Sequence, residues 1–235
     1  LEDATAEDKR EAAWNIMKAA DGILVPGGFG NRGTEGKIAA AKFAREHKKP
    51  YLGICLGMQI AVIEYARNVL GLKNAHSEEF ESKDEPDPEE RLVVFMPEIS
   101  KTHMGGTMRL GRRKTIFRDI IMKERQDNKY ESTVARLYGA PKVKSVYERH
   151  RHRYEVNPDF LPQLEEAGMM FVGQDETGER QEIIELLHEN HPYFVGCQYH
   201  PEYLSRPTHP SPMFVGLLLA ASGRSVDEYI RTELN

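Results

Sequence analysis

The sequence predicts an α/β fold: a mostly parallel sheet flanked by helices, with a small antiparallel extension. Three observations carry this. Short apolar strands alternate with amphipathic helical segments through the first seventy residues, the rhythm of a parallel sheet covered on both faces. Two strands run directly into Gly-rich turns that open helices. Beyond residue 90 the pattern changes to strand–turn–strand, the mark of antiparallel pairing.

Residues 7–20 read as an amphipathic helix, with Ala13, Ile16, Met17 and Ala20 at helical spacing. Asp21-Gly22 ends it, and Ile23-Leu24-Val25 is a short strand. Pro26-Gly27-Gly28-Phe29-Gly30 is a loop, after which Thr34 is expected to cap a helix over 35–47. Pro50 stops that helix, 51–54 forms the next strand, and a helix over 56–69 follows. Residues 81–90 are a charged, Pro-broken loop. Strands are expected at 91–96, 107–118, 133–138 and 146–156, and a helix near 158–167. A hairpin is expected from 169–173 to 182–187 around Asp175-Glu176-Thr177-Gly178, then a strand over 193–199 and helices over 212–223 and 226–234.

Composition narrows the functional classes. The 235 residues are 40% hydrophobic and 29% charged, which excludes a mainly disordered chain. With 32 basic and 37 acidic residues the net charge is −5, giving no basic footprint for nucleic acid and no polybasic membrane patch. No apolar run approaches the roughly 20 residues needed to span a bilayer, and the acidic opening Leu1-Glu2-Asp3 is unlike a secretory signal. Two cysteines, Cys55 and Cys197, make no disulfide framework, so a cytoplasmic setting is expected. The chain opens without an initiator Met, which fits a piece of a longer protein.

The strongest local feature is Gly53-Ile54-Cys55-Leu56-Gly57-Met58-Gln59. A strand ending in Gly-x-Cys-x-Gly at the start of a helix is the cysteine form of a nucleophile elbow. The glycines permit a tight turn, and the helix N-terminus favours a thiolate and offers N–H groups to an oxyanion. A buried, inert cysteine is the plainer fate of such a residue. The second feature is Gln198-Tyr199-His200-Pro201-Glu202 after an apolar strand. His200 is placed to take a thiol proton and Glu202 to hold the imidazole; the plainer reading is a surface histidine before a Pro turn. Both motifs sit at strand C-termini, where open α/β sheets place their sites.

Gly28 to Gly33 also spells G-x-G-x-x-G, but no acidic residue ends the next strand, Tyr51–Ile54, so a dinucleotide site is rejected. A loop beside the elbow is the better use, with the Gly28 N–H as an oxyanion donor. Arg149-His150-Arg151-His152-Arg153 alternates like a strand, and no Cys-x-x-Cys or His-Glu-x-x-His spacing supports a metal. No metal is expected.

These motifs resemble the class I glutamine amidotransferases, a flavodoxin-like family. Leu24–Gly30, Met104–Gly111, Glu148–Asn157 and Phe194–Glu202 resemble in particular the glutaminase domain of the CTP synthases, and the resemblance covers nearly the whole chain. It implies a single amidotransferase domain over 1–235 that hydrolyses L-glutamine. Cys55 would be the nucleophile, completed by His200 and Glu202. Gly28 and Leu56 would supply oxyanion N–H groups; with Gly57 and Met58 of the elbow they would border the substrate. Gln59, Glu79 and Arg153 would hold glutamine, Glu79 by its ammonium and Arg153 by its carboxylate. Phe29 and Arg109 are the candidates for an effector site, since GTP activates the family.

No cofactor is implied in this domain. The family's ATP, Mg2+ and UTP belong to an N-terminal synthetase domain, its partner in the same polypeptide, and no Gly-x-x-x-x-Gly-Lys-Ser/Thr loop occurs here. The family's glutaminase domain also opens with a strand–helix–strand segment ahead of the position of Leu1. A homo-oligomer is implied for the full enzyme. Two alternatives stand beside this reading: another class I amidotransferase or γ-glutamyl hydrolase, and a non-catalytic regulatory or assembly module.

Overall fold

The computed structural model describes residues 6–80, 90–97, 107–121, 129–187 and 189–234. The first third follows the expected alternation: α1 (Ala6–Ala19), β1 (Ile23–Val25), α2 (Thr34–Glu46), β2 (Tyr51–Ile54) and α3 (Leu56–Asn68). Then come β3 (His76–Ser77), a 3-10 turn at Glu78–Phe80, β4 (Arg91–Phe95), β5 (Arg109–Phe117), β6 (Ile120–Ile121), β7 (Lys129–Tyr130) and α4 (Thr133–Leu137). The rest comprises β8 (Ser145–His152), β9 (Tyr154–Val156), α5 (Leu161–Glu166), β10 (Met169–Gln174), β11 (Gln181–Leu186), β12 (Phe194–Cys197), α6 (Pro212–Ala221) and α7 (Val226–Tyr229). The expected loop at 81–90 lies almost wholly outside the described residues, as do Met104, Gly105 and Gly106.

Seven strands form one sheet in the order β1-β2-β12-β11-β10-β5-β8. β1 with β2 and β2 with β12 are parallel; the remaining four pairings are antiparallel. The α/β class holds, with the antiparallel part larger than the small extension expected. The reason is that β10–β11 and β5–β8 add to the edge of the parallel core instead of forming a separate layer. A second sheet, β3-β4-β9, lies on the far side of α3.

β2 is buried along its whole length, as is β12. Tyr51 faces the core under α2 and α3, while Leu52 and Ile54 face the core under α6. Because α3 is sandwiched between the two sheets, every residue from Leu56 to Ala66 is buried. That run includes Glu64, whose carboxylate accepts from Arg45 Nε at 2.9 Å and Nη2 at 2.7 Å, a bidentate pair that offsets the cost of burying the charge.

Several local expectations change. α1 turns Trp14 and Met17 inward and leaves Ile16 exposed; Trp14 meets Phe43 of α2 edge-on at 6.2 Å. Gly33, at φ 69°, takes the cap position of α2, and the Thr34 hydroxyl instead donates back to Asn31 O at 2.7 Å. Residues 133–137 are a helix, not a strand. The β-branched Thr133-Val134 is overridden because Ser132 Oγ accepts from the Ala135 N–H (3.0 Å), and the buried Glu185 carboxylate accepts from Thr133 and Val134 N–H at 3.1 and 3.0 Å. The expected strand over 146–156 breaks at Arg153, so β8 joins the large sheet and β9 the small one. That break delivers Arg153 to the cleft between them.

Candidate active site

Cys55 stands between β2 and α3 with φ 51° and ψ −103°, a left-handed conformation that L-residues rarely hold. The neighbouring glycines make the turn possible. A Cβ on Gly53 would lie 2.4 Å from Gly57 O, and one on Gly57 would lie 2.1 Å from Val25 O. The Cys55 N–H donates to Cys197 O at 2.7 Å, which ties the elbow to β12.

His200 follows β12 after Gln198 and Tyr199. Its N–H donates to Arg149 O at 2.8 Å, its Nδ1 lies 2.6 Å from Glu202 Oε1, and its ring stacks on Tyr203 at 5.1 Å. Nε2 is buried and has no hydrogen-bond partner among the described residues. The loop after β1 brings ring and thiol together. A Cβ on Gly27 would sit 2.7 Å from His200 Cε1 and 3.5 Å from Cys55 Cβ, so the bare backbone there lies against both. The same loop is anchored by the Gly30 N–H, which donates to Glu79 Oε1 at 2.9 Å.

A narrow cleft beside Cys55 is lined by Gly28, Phe29, Gln59, Glu79, His152, Arg153 and Tyr154. Of the residues singled out in the sequence, the structure brings Gly28, Phe29, Gln59, Glu79 and Arg153 together here. Leu56 joins it through the chain, and Gly28 packs against its side chain, a Cβ there meeting Leu56 Cδ2 at 3.2 Å. Gly57 and Met58 do not line it: Gly57 packs on β1, and the Met58 side chain is fully buried against Gly196. Arg153 Nε donates to Thr107 Oγ1 at 3.1 Å. The two effector candidates are placed differently. Phe29 is 53% exposed with the Arg151 guanidinium over its ring at 5.6 Å, whereas Arg109 is buried and donates to Glu182 at 2.7 Å.

The sequence reading missed three residues: His152, Tyr154 and Gln198. Gln198 is fully buried, and its Nε2 lies 3.6 Å from Cys55 Sγ. Its signal was present, since Gln198 opens the same Gln-Tyr-His-Pro-Glu motif that carries His200 and Glu202.

Electrostatics depart from the expected thiolate. Burial pushes the Cys55 thiol up to about 12. The Leu56 N–H and the Gln198 amide pull it down, while the Glu79 and Glu202 carboxylates push it further up. Desolvation outweighs the helix N-terminus here, and the resting sulfur is a neutral thiol at pH 7. Among the described residues no group of three or more His, Cys, Asp or Glu is placed to hold a metal ion, and no helix is long and apolar enough to cross a membrane.

The family model for class-I glutamine amidotransferases matches residues 3–220. CTP synthase of Dictyostelium discoideum is 55% identical across 94% of this chain and 36% of its own length. CTP synthase of Schizosaccharomyces pombe is 55% identical across 94% of this chain and 34% of its own. Among solved structures, the glutaminase domain of Trypanosoma brucei CTPS with bound acivicin superposes with a TM-score of 0.76. It is 37% identical, over 94% of this chain and 77% of that one. The chain thus spans about a third of the length of the curated relatives it matches. It belongs to the class-I glutamine amidotransferases and is similar, within them, to the glutaminase part of the CTP synthases.

Proposed function

We propose that this chain hydrolyses L-glutamine to glutamate and ammonia with Cys55 as nucleophile, His200 as general base and acid, and Glu202 as the group that orients His200. The observation that carries the reading is the juxtaposition at Gly27: a cysteine on a strained elbow and an imidazole whose Nδ1 is engaged by a carboxylate lie against the same stretch of bare backbone. Glutamine enters beside Gln59, its ammonium toward Glu79 and its carboxylate toward Arg153. Its side-chain amide then lies over the sulfur.

Because burial holds the resting thiol neutral, proton transfer to His200 Nε2 accompanies substrate entry. The S–H bond breaks, its electron pair attacks the amide carbon, and the oxyanion rests on the N–H groups of Gly28 and Leu56. Each such donor contributes about 3 kcal/mol in comparable sites. The imidazolium returns its proton to the leaving nitrogen, releasing ammonia and a γ-glutamyl thioester. Water, losing its proton to His200, then frees glutamate and restores the thiol.

In the full-length protein the ammonia would aminate UTP to CTP, with ATP and Mg2+ held by the part of the polypeptide beyond this chain. An activating GTP would meet the exposed Phe29 ring and the Arg151 guanidinium above it. Arg109, engaged with Glu182, is left to the sheet. Cys55→Ser tests the glutaminase step: glutamine-dependent product should vanish while ammonia-dependent CTP formation by the full-length protein persists. Retained glutamine use would overturn the assignment.

A further inference from the structure

Three polar groups form a directed chain that ends on the nucleophile. It begins at the Tyr154 main-chain carbonyl, which can only accept. Gln59 Nε2 lies 2.8 Å from that oxygen, so the Gln59 amide must turn its NH2 toward β9. The same Nε2 lies 3.1 Å from Gln198 Oε1, which fixes the Gln198 carbonyl toward Gln59. Gln198 Nε2 is then left facing Cys55 Sγ at 3.6 Å. Reversing Gln59 would set its carbonyl against that of Tyr154, and reversing Gln198 would set two NH2 groups against each other. The polarity of the chain is therefore dictated by a backbone group, and the sulfur receives a donor rather than an acceptor.

Both glutamines are buried, Gln198 completely, so water does not replace a bond lost along the chain at no cost. We propose that Gln198 is a positioning residue of the glutaminase reaction, its amide N–H holding the Cys55 sulfur as an acceptor beside His200 and Gln59 holding that amide in the donating orientation. This rests on the glutaminase reading and deepens it. When the thiol proton passes to His200 Nε2, the S–H bond breaks and its electron pair stays on sulfur. The Gln198 N–H remains intact and strengthens as its acceptor becomes an anion.

The surroundings explain why such a donor matters. Glu79 on the turn after β3 and Glu202 on the turn after β12 both disfavour the thiolate, as does burial itself. Against them stand a hydrogen bond from the Leu56 N–H and one from Gln198. Cys197, on β12 beside Gln198, is buried and held neutral, so it adds no further negative charge. Deleting a hydrogen-bond donor to a buried anion should disfavour that anion by about tenfold or more.

The test uses the full-length protein with Gln198→Met, which keeps the length and removes the donor, and Gln198→Glu, which keeps the acceptor toward Gln59 and adds a charge. Alkylation of Cys55 by iodoacetamide is followed by peptide mass across pH, alongside steady-state glutamine hydrolysis. In Gln198→Met the alkylation rate at pH 8 should fall about tenfold and the whole profile move to higher pH. The kcat for glutamine should fall comparably with KM nearly unchanged. Gln198→Glu should lose more on both measures, and it carries the same test if Gln198→Met does not fold. An unchanged alkylation profile in either folded variant would overturn the proposal. Alkylation needs no turnover, so a native protein that alkylates at Cys55 yet releases no glutamate would instead count against the glutaminase reading.

Discussion

His200 Nδ1 lies 2.6 Å from Glu202 Oε1, while Nε2 of the same ring is buried without a hydrogen-bond partner among the described residues. One nitrogen is fixed by a carboxylate and the other is left able to exchange a proton, which is the division of labour a cysteine amidase needs. Glu202→Gln keeps the shape and removes the charge that stabilises the imidazolium. Glutamine kcat/KM should fall by about 10²- to 10⁴-fold, with little change in melting temperature because this carboxylate is 43% exposed. A loss below tenfold would show that Glu202 does not support the base.

The elbow stores backbone strain at Cys55, whose φ of 51° suits glycine better than any L-residue. Among inactive variants, Cys55→Gly should therefore be more stable than Cys55→Ala by roughly 1 kcal/mol, after allowing for the greater chain entropy of glycine. Gly57→Ala should act in the opposite sense. Its Cβ would meet Val25 O at 2.1 Å, and the resulting shift of β1 against α3 should cost about 2 kcal/mol or more. Denaturant melts of the three variants check both statements.

Glu79 acts on the thiol as well as on the loop. Its carboxylate raises the Cys55 pKa, so neutralising it must lower that pKa and enlarge the thiolate fraction at any fixed pH below it. Glu79→Gln retains an oxygen for the Gly30 N–H, which keeps the loop in place. Iodoacetamide should then alkylate Cys55 faster at pH 8 than in the native protein, while the proposed pairing of Glu79 with the glutamine ammonium predicts a higher KM for glutamine. Slower alkylation would contradict the electrostatic account.

Glu148 gives a stability prediction with a definite sign. Burial pushes its carboxyl up to about 7, against a lowering bond from Tyr138 OH at 2.9 Å. A carboxyl raised in the folded state binds more protons than in the unfolded chain. Its contribution is thus full below about pH 4.5 and declines as pH rises through 7. Glu148→Gln keeps an acceptor for Tyr138 and removes the charge. It should stabilise the protein at pH 8, on the order of 1–3 kcal/mol, and leave it nearly unchanged at pH 4.5. Chemical denaturation at the two pH values decides it.

The parts legible in the sequence were those dictated locally. Gly-x-Cys-x-Gly between an apolar run and a helix admits few backbone solutions, and Cys55 adopts one of them. Residues whose state is set across the fold were not legible. Helix α4 exists because Glu185, about fifty residues downstream, accepts its first N–H groups. The break at Arg153 reflects two sheets claiming neighbouring strands. Gln198 was visible as a letter of its motif, but its bond to the sulfur depends on Gln59 and Tyr154 from two other elements. The neutral state of Cys55 likewise comes from burial and from carboxylates on separate turns, which no helix N-terminus in the sequence reveals.

The proposed mechanism needs Cys55 to sit in a formed glutamine pocket that activates it on substrate entry. Incubation with 6-diazo-5-oxo-norleucine, a glutamine-shaped electrophile, followed by peptide mass mapping tests this directly, with Cys55→Ala as control. A single adduct on Cys55, suppressed by excess glutamine and absent from the control, is the predicted result. Equal labelling of Cys55 and Cys197, or labelling that glutamine does not suppress, would contradict it.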